Sequence, residues 1–143
     1  MKILIIFLIS FISLFGAKLT KSGNYVIDDI NKLMWQDSKD NTRILFNQED
    51  AVKYCDKLSV NGFNDWRLPT MDDYKKIIDK SRKKEQVMIN RAFKHVKKDH
   101  YWTYDRTWRN FGLWGYYIHF KSGTFYYENR TYPKYVRCVR RLR

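Results

Sequence analysis

The chain has 143 residues, with 28 Lys+Arg against 15 Asp+Glu, for a formal net charge of +13. Aromatic residues make up 17% of it, while proline and cysteine number two each. Such a composition excludes disordered and low-complexity classes, and the length leaves room for one folded domain with a surface that attracts anions.

Residues 1–17, MKILIIFLISFISLFGA, set one lysine before a nearly unbroken apolar run that ends in Gly16 and Ala17. This is the pattern of a secretory signal peptide, with cleavage after Gly16 or Ala17. The run is short for a membrane span of about 20 residues. An uncleaved N-terminal anchor is the alternative. The expectation is a bacterial protein of the periplasm or the outside medium, with no transmembrane segment after cleavage. Residues 18–143 would form a single domain. Export also removes intracellular nucleic acid, the commonest partner of so basic a chain.

The charge is unevenly spread. Residues 18–90 carry 14 Lys+Arg and 12 Asp+Glu, net +2, whereas residues 91–143 carry 13 Lys+Arg and 3 Asp+Glu, net +10.

Residues 24–36 predict two short strands around a turn at Asp28–Lys32, from the alternation of Tyr25 with Ile27 and of Leu33 with Trp35. A helix starts after Asn47, a good N-cap, with Glu49 and Asp50 at its positive end. Ala51, Tyr54, Cys55 and Leu58 then form one apolar stripe. Cys55 on that stripe points to the core. In an oxidising compartment it is expected to pair with Cys138 across 83 residues. A catalytic thiol or a metal ligand is the alternative, but no CxxC spacing or nearby histidine supports it.

Pro69 and Thr70 predict a second helix from Met71 to about Lys84, Thr70 capping it with Asp73 at the third position. Its apolar face would hold Tyr74, Ile77 and Ile78. From Tyr101 the pattern is β: Tyr101–Tyr104, Leu113–Phe120, Thr124–Glu128 and Tyr135–Leu142, with a hairpin turn at Lys121-Ser122-Gly123. In the last segment, alternation puts Val136 and Cys138 inside and Tyr135, Arg137, Val139 and Arg141 on the other face. Residues 104–112 read as a loop.

Little in this pattern points to catalysis. His95, His100 and His119 are not fixed near one another by the sequence, and they show no metal-ligand spacing. No cofactor or metal is expected. Trp108, in the predicted loop beside Arg106 and Arg109, is a candidate for stacking on a sugar ring or a base.

Four segments together resemble one family: KLMWQD at 32–37, AVKYCDKL running into GFNDWRLPT at 51–70, YW at 101–102 and YVRCVR at 135–140. Their order and spacing are similar to the C-terminal domain family of bacterial collagen-like (Lcl) adhesins, formerly a domain of unknown function. That family looks related to C-type lectin-like and formylglycine-generating-enzyme-like folds. The resemblance implies an exported α+β domain of C-type lectin-like type: two helices, a small twisted antiparallel sheet and one disulfide, Cys55–Cys138. The chain lacks a collagen-like repeat, the carboxylate triplets of calcium-dependent lectins and the spare cysteines of the enzymes.

The expected function is therefore non-enzymatic binding of an anionic polymer outside the cytoplasm, such as a sulfated or acidic glycan or an envelope polysaccharide. Arg106, Arg109, Arg130, Lys134, Arg137, Arg140 and Arg141 would supply the charge, and Trp108 the stacking. A periplasmic module that binds an envelope protein is the alternative, and a small secreted nuclease the third.

Overall fold

Two β-sheets, joined near the C-terminus, frame a computed structural model that describes residues 19–143. The apolar run 1–17 lies outside the described residues. The first sheet holds β1 (Leu19–Ser22), β2 (Tyr25–Asp28), β3 (Leu33–Gln36) and β9 (Val139–Arg141), all antiparallel, in that order. The second holds β4 (Leu45–Phe46), β8 (Lys134–Tyr135), β5 (His100–Thr107), β6 (Trp114–His119) and β7 (Thr124–Asn129), in that order. One pair in it, β5 with β8, is parallel. The expected single antiparallel sheet is thus two sheets, one of them mixed.

The N-terminal hairpin follows the sequence reading. The Asp28 carboxylate accepts hydrogen bonds from the Asn31 backbone N–H (2.9 Å) and side-chain amide (2.7 Å), which closes the β2–β3 turn. β1 was not anticipated, because four residues with three polar ones give little periodicity.

Helix α1 (Gln48–Lys57) starts where Asn47 predicts, its side chain accepting from the Asp50 N–H at 2.8 Å. Ala51 and Cys55 are buried on its inner face. Helix α2 has the expected capping box of Thr70 and Asp73 but ends at Lys75, one turn long, not at Lys84. Beyond it Asp79 captures Ser81, accepting from its N–H at 3.0 Å and its hydroxyl at 2.5 Å. Such a local turn competes with helix propagation. The chain then folds back, with Ile78 bridged to Ile89 and the Asn90 N–H donating to the Ile77 carbonyl at 2.9 Å. Burial of Ile77 and Ile89 outweighs the helical propensity of the lysine run, which becomes an exposed loop.

The disulfide Cys55–Cys138 is formed, with Cα atoms 5.5 Å apart. It ties α1 to the C-terminal segment and lies in a core cluster with Ala51, Trp66, Leu68, Trp102 and Val136. The second cluster centres on Trp35, Tyr74, Tyr101, Ile118 and Phe120.

The C-terminal segment departs from the alternation expected of it. Every residue from Lys134 to Arg140 is buried, and Arg137 and Val139 are as deep as Cys138. The reason is that the segment is covered on both faces, with Tyr135 and Val139 in one core cluster and Val136 and Cys138 in the other, and its backbone is paired on both edges. The Gln36 N–H donates to the Cys138 carbonyl at 2.9 Å on one side, and the Arg67 and Val139 backbones exchange hydrogen bonds on the other.

Arg137 is fully buried. Its guanidinium donates to the Gln36 carbonyl, to the Asp37 carboxylate (3.2 Å) and to the His95 carbonyl (2.5 Å), and lies 4.8 Å from the Phe93 ring centroid. Asp37, also fully buried, accepts in addition from the Lys94 and His95 N–H groups, each at 2.9 Å, and pairs with Lys21 at 2.6 Å. Burial pushes the Asp37 carboxyl up, but the Arg137 charge and these hydrogen bonds outweigh it and hold the group below its ordinary value of 3.8. Asp73 is held below the same value: its burial is outweighed by hydrogen bonds from Arg67 and Thr70.

A group whose folded value is depressed stabilises the fold above its unfolded value and ceases to do so as pH falls through the folded one. Urea midpoints should therefore hold down to the ordinary aspartate range near 3.8 and collapse below it. Asp37→Asn should cost about 3–5 kcal/mol at neutral pH by leaving Arg137 buried without its counter-charge. A variant with the urea midpoint of the parent would contradict this. Reducing Cys55–Cys138 should cost about 4–5 kcal/mol by chain entropy, read from the same titration with and without reductant.

Candidate functional site

The β5–β6 connection carries the most exposed aromatic residues of the described chain. Trp108 is 89% and Phe111 97% accessible. The strands hold the ends of the loop by pairing Arg106 with Gly115 and Thr107 with Trp114. Inside it the Thr107 hydroxyl accepts from the Arg109 N–H at 2.9 Å, and the Leu113 N–H donates to the Asn110 carbonyl at 3.1 Å. Asn110, Phe111 and Gly112 all take left-handed backbone conformations, with φ of 52°, 55° and 74°.

Beside the loop, β6 and β7 present packed rings, one pair tilted and one edge-to-face. Trp114 and Tyr127 lie 5.4 Å apart between centroids, and Tyr116 and Tyr127 5.7 Å. The Arg109 guanidinium donates to the Tyr127 hydroxyl at 3.4 Å. Arg130, just past β7, is clamped from behind. Its Nε donates to the Gln48 side-chain carbonyl at 2.7 Å, and its own carbonyl accepts from the Gln48 N–H at 2.9 Å. The buried Gln48 amide in turn donates to the Thr103 and Asp105 carbonyls, at 2.8 and 3.0 Å. Gly115 makes room for this clamp, since a Cβ there would lie 2.5 Å from the Gln48 amide. Burial, and next the charge of Arg106, holds the Arg130 guanidinium below its ordinary value, so these two cations are kept near each other on the Gln48 side of the sheet. Glu49 lies within electrostatic reach of both; its hydrogen bond with Lys53, and then the Lys53 charge, lowers it, the pair lying 3.0 Å apart.

The family model described as the Lcl C-terminal domain matches residues 24–140. The chain belongs to the Lcl C-terminal domain family. Comparison with curated proteins gave no match.

Within this Lcl C-terminal domain, the eight residues singled out in the sequence do not form one patch. Arg106, Trp108, Arg109 and Arg130 gather around the β5–β6 loop. Lys134 is interior: its ammonium meets the Glu128 carboxylate and lies 4.0 Å from the Tyr117 ring centroid and 4.9 Å from that of Trp102. Burial pushes this ammonium down to about 8, and the Asp99 charge opposes the shift. Arg137 is consumed by Asp37 and two carbonyls. Arg140 is nearly buried, with its Nε donating to the Asn64 carbonyl at 2.7 Å and its guanidinium 5.0 Å from the Phe63 centroid. Arg141 is exposed and, with Asp65, Arg67, Arg140 and Arg143, lines a cavity of about 180 Å³.

Three features were not foreseen. His100 and His119, which the sequence left apart, are cross-strand partners with centroids 4.5 Å apart. Burial first, then the charges of Lys134 and His119, pushes His100 below the ordinary histidine value. A polar cavity of about 580 Å³ opens among Asn24, Gln36, Ser38, Asp40, Asn61 and His95. Gln48 and Gly115 shape the loop face, and here a signal was present: a glycine inside the aromatic strand WGYY marks a close approach.

Gly115→Ala should push the Gln48 amide from its carbonyl partners and free Arg130, at about 1–3 kcal/mol, the usual range for overpacking. Thermal unfolding reads the loss, and an unchanged midpoint would argue that Gln48 is not the clamp.

Proposed function

We propose that this Lcl C-terminal domain is an exported, non-enzymatic module that binds anionic polymers, namely sulfated or acidic glycans or an envelope polysaccharide. One observation carries the reading: around the β5–β6 loop and its exposed Trp108, Arg106 and Arg130 stand on the Gln48 side of the sheet and Arg109 on the other side with the Trp114–Tyr127 ring pair. Guanidinium groups take sulfate, carboxylate and phosphate in forked hydrogen bonds, and a flat indole stacks on a sugar ring. Periplasmic or secreted location fits the apolar residues 1–17, the disulfide and membership of the family.

A C-type lectin-like fold belongs to the same proposal. Its support is the pairing of β3, near the N-terminus, with β9 at the C-terminus, and the cystine from the first helix to the last segment.

The oxidised protein should be retained on heparin–agarose at about 0.15 M salt and released as salt rises, since exposed charges are screened over roughly 8 Å there. Arg106→Gln with Arg109→Gln should weaken binding roughly fivefold to thirtyfold, at about 1 kcal/mol for each exposed contact. Lys83→Gln with Lys84→Gln removes the same charge from the exposed loop after α2 and should change retention far less. Equal losses in the two double variants would reduce the effect to net charge and overturn the assigned face.

A further inference from the structure

The loop tip holds two features that nothing else in the fold uses. Phe111 is 97% accessible, so its ring has almost no contact with its own chain. It also sits at φ 55° between Asn110 at 52° and Gly112 at 74°. Three successive left-handed residues are uncommon, and for a bulky side chain the conformation is strained. Trp108, 89% accessible, stands beside it, and Leu113, also exposed, closes the loop. Strain and exposed apolar surface both work against the folded state, so their gain has to come from a partner.

The shape of the tip selects among partners. A stable protein interface covers about 800 Å² on each side and relies on packed surroundings. A sugar chain stacks on a ring face that is supported from behind, such as the Trp114–Tyr127 pair. Phe111 projects with no wall of its own chain around it. A medium that closes around a convex wedge buries such a ring without a preformed pocket, and the boundary between lipid headgroups and acyl chains does so. Tryptophan and phenylalanine favour that depth. The flanking charge has the matching sign. Arg106 and Arg109 bracket the tip, and Arg130 stands behind it. Of the nearby acids, Glu49 is held by Lys53 and the Asp105 carboxylate accepts from the Met71 N–H at 2.7 Å.

The geometry points to a lipid-binding tip: Trp108 and Phe111 enter the interface of an anionic bilayer while Arg106, Arg109 and Arg130 hold headgroup phosphates. This rests on the reading of the face as anion-binding and makes the anion part of an amphiphile.

Flotation of the exported, oxidised protein with phosphatidylcholine vesicles, with and without about 30% phosphatidylglycerol, tests it. The protein should float with the anionic vesicles alone, and its tryptophan emission should shift to the blue. Phe111→Gly suits the left-handed backbone, so the variant folds. It should lower vesicle partitioning about tenfold, as expected for one aromatic ring lost from the interface. Its elution from heparin should stay that of the parent. Retention on heparin with no vesicle binding, or vesicle binding unaffected by Phe111→Gly, overturns the lipid tip and leaves the polymer reading standing. A change from oligomer to monomer on Phe111→Gly also overturns it, by making the tip a contact between copies. Loss of both heparin and vesicle binding in the parent overturns the polymer reading as well.

Discussion

The buried pair of Asp37 and Arg137 is the constraint on which the rest of this fold depends. Four stretches of chain meet at it: β1 through Lys21, the end of β3, the 94–95 segment and the strip before β9. Such a pair adds little net stability, because desolvation offsets much of the attraction. Its effect lies in what happens when it is broken, since either charge left alone in the interior is costly. Arg137 also keeps its Nε without a hydrogen-bond partner among the described residues, which adds to the cost of burying the guanidinium. Cys138, the next residue, adds a covalent tie to α1. Charge pair and cystine together fix the last segment between the two sheets.

That placement decides which cations are left to act outward. A net +10 in the second half of the sequence looks like one basic surface. In the fold it divides. Lys134, Arg137 and Arg140 are spent on a carboxylate, on backbone carbonyls and on aromatic faces inside the domain. Arg106, Arg109 and Arg130 remain on the loop face. Interior cations next to rings are a packing solution in an aromatic-rich core: a guanidinium or ammonium over a ring face gains from the ring's quadrupole while its stem fills space.

The parts of the fold that were legible in the sequence are those set by local chemistry. Asn47 and Thr70 mark helix starts because their side chains satisfy the first free N–H groups. Lys121-Ser122-Gly123 marks a turn because Gly123 takes φ 68°. The cystine was legible from the leader-like run of residues 1–17 and from one helical stripe. What was missed depends on contacts distant in sequence. Alternation failed at 135–141 because the segment is covered on both faces, which two-fold periodicity does not reveal. The length of α2 was misjudged because the Asp79–Ser81 turn and the Ile78–Ile89 bridge outweigh helical propensity. His100 and His119 meet through the register of β5 on β6, a register shifted by an irregularity between Trp102 and Arg106. At the site, Trp108 was legible as a loop tryptophan, whereas nothing in the sequence singled out Phe111 in the same loop, since its full exposure and left-handed backbone belong to the fold.

The central claim is that the functional cations are those of the β5–β6 loop face and not those of the C-terminal strip. Side-chain Nε–Hε spectra of the arginines, followed while a heparin oligosaccharide is added, test it most directly. The account predicts that Arg106, Arg109 and Arg130 shift in a saturable, salt-sensitive way while Arg137 stays fixed. Shifts centred on Arg67, Arg141 and Arg143, with the loop arginines unmoved, would contradict it.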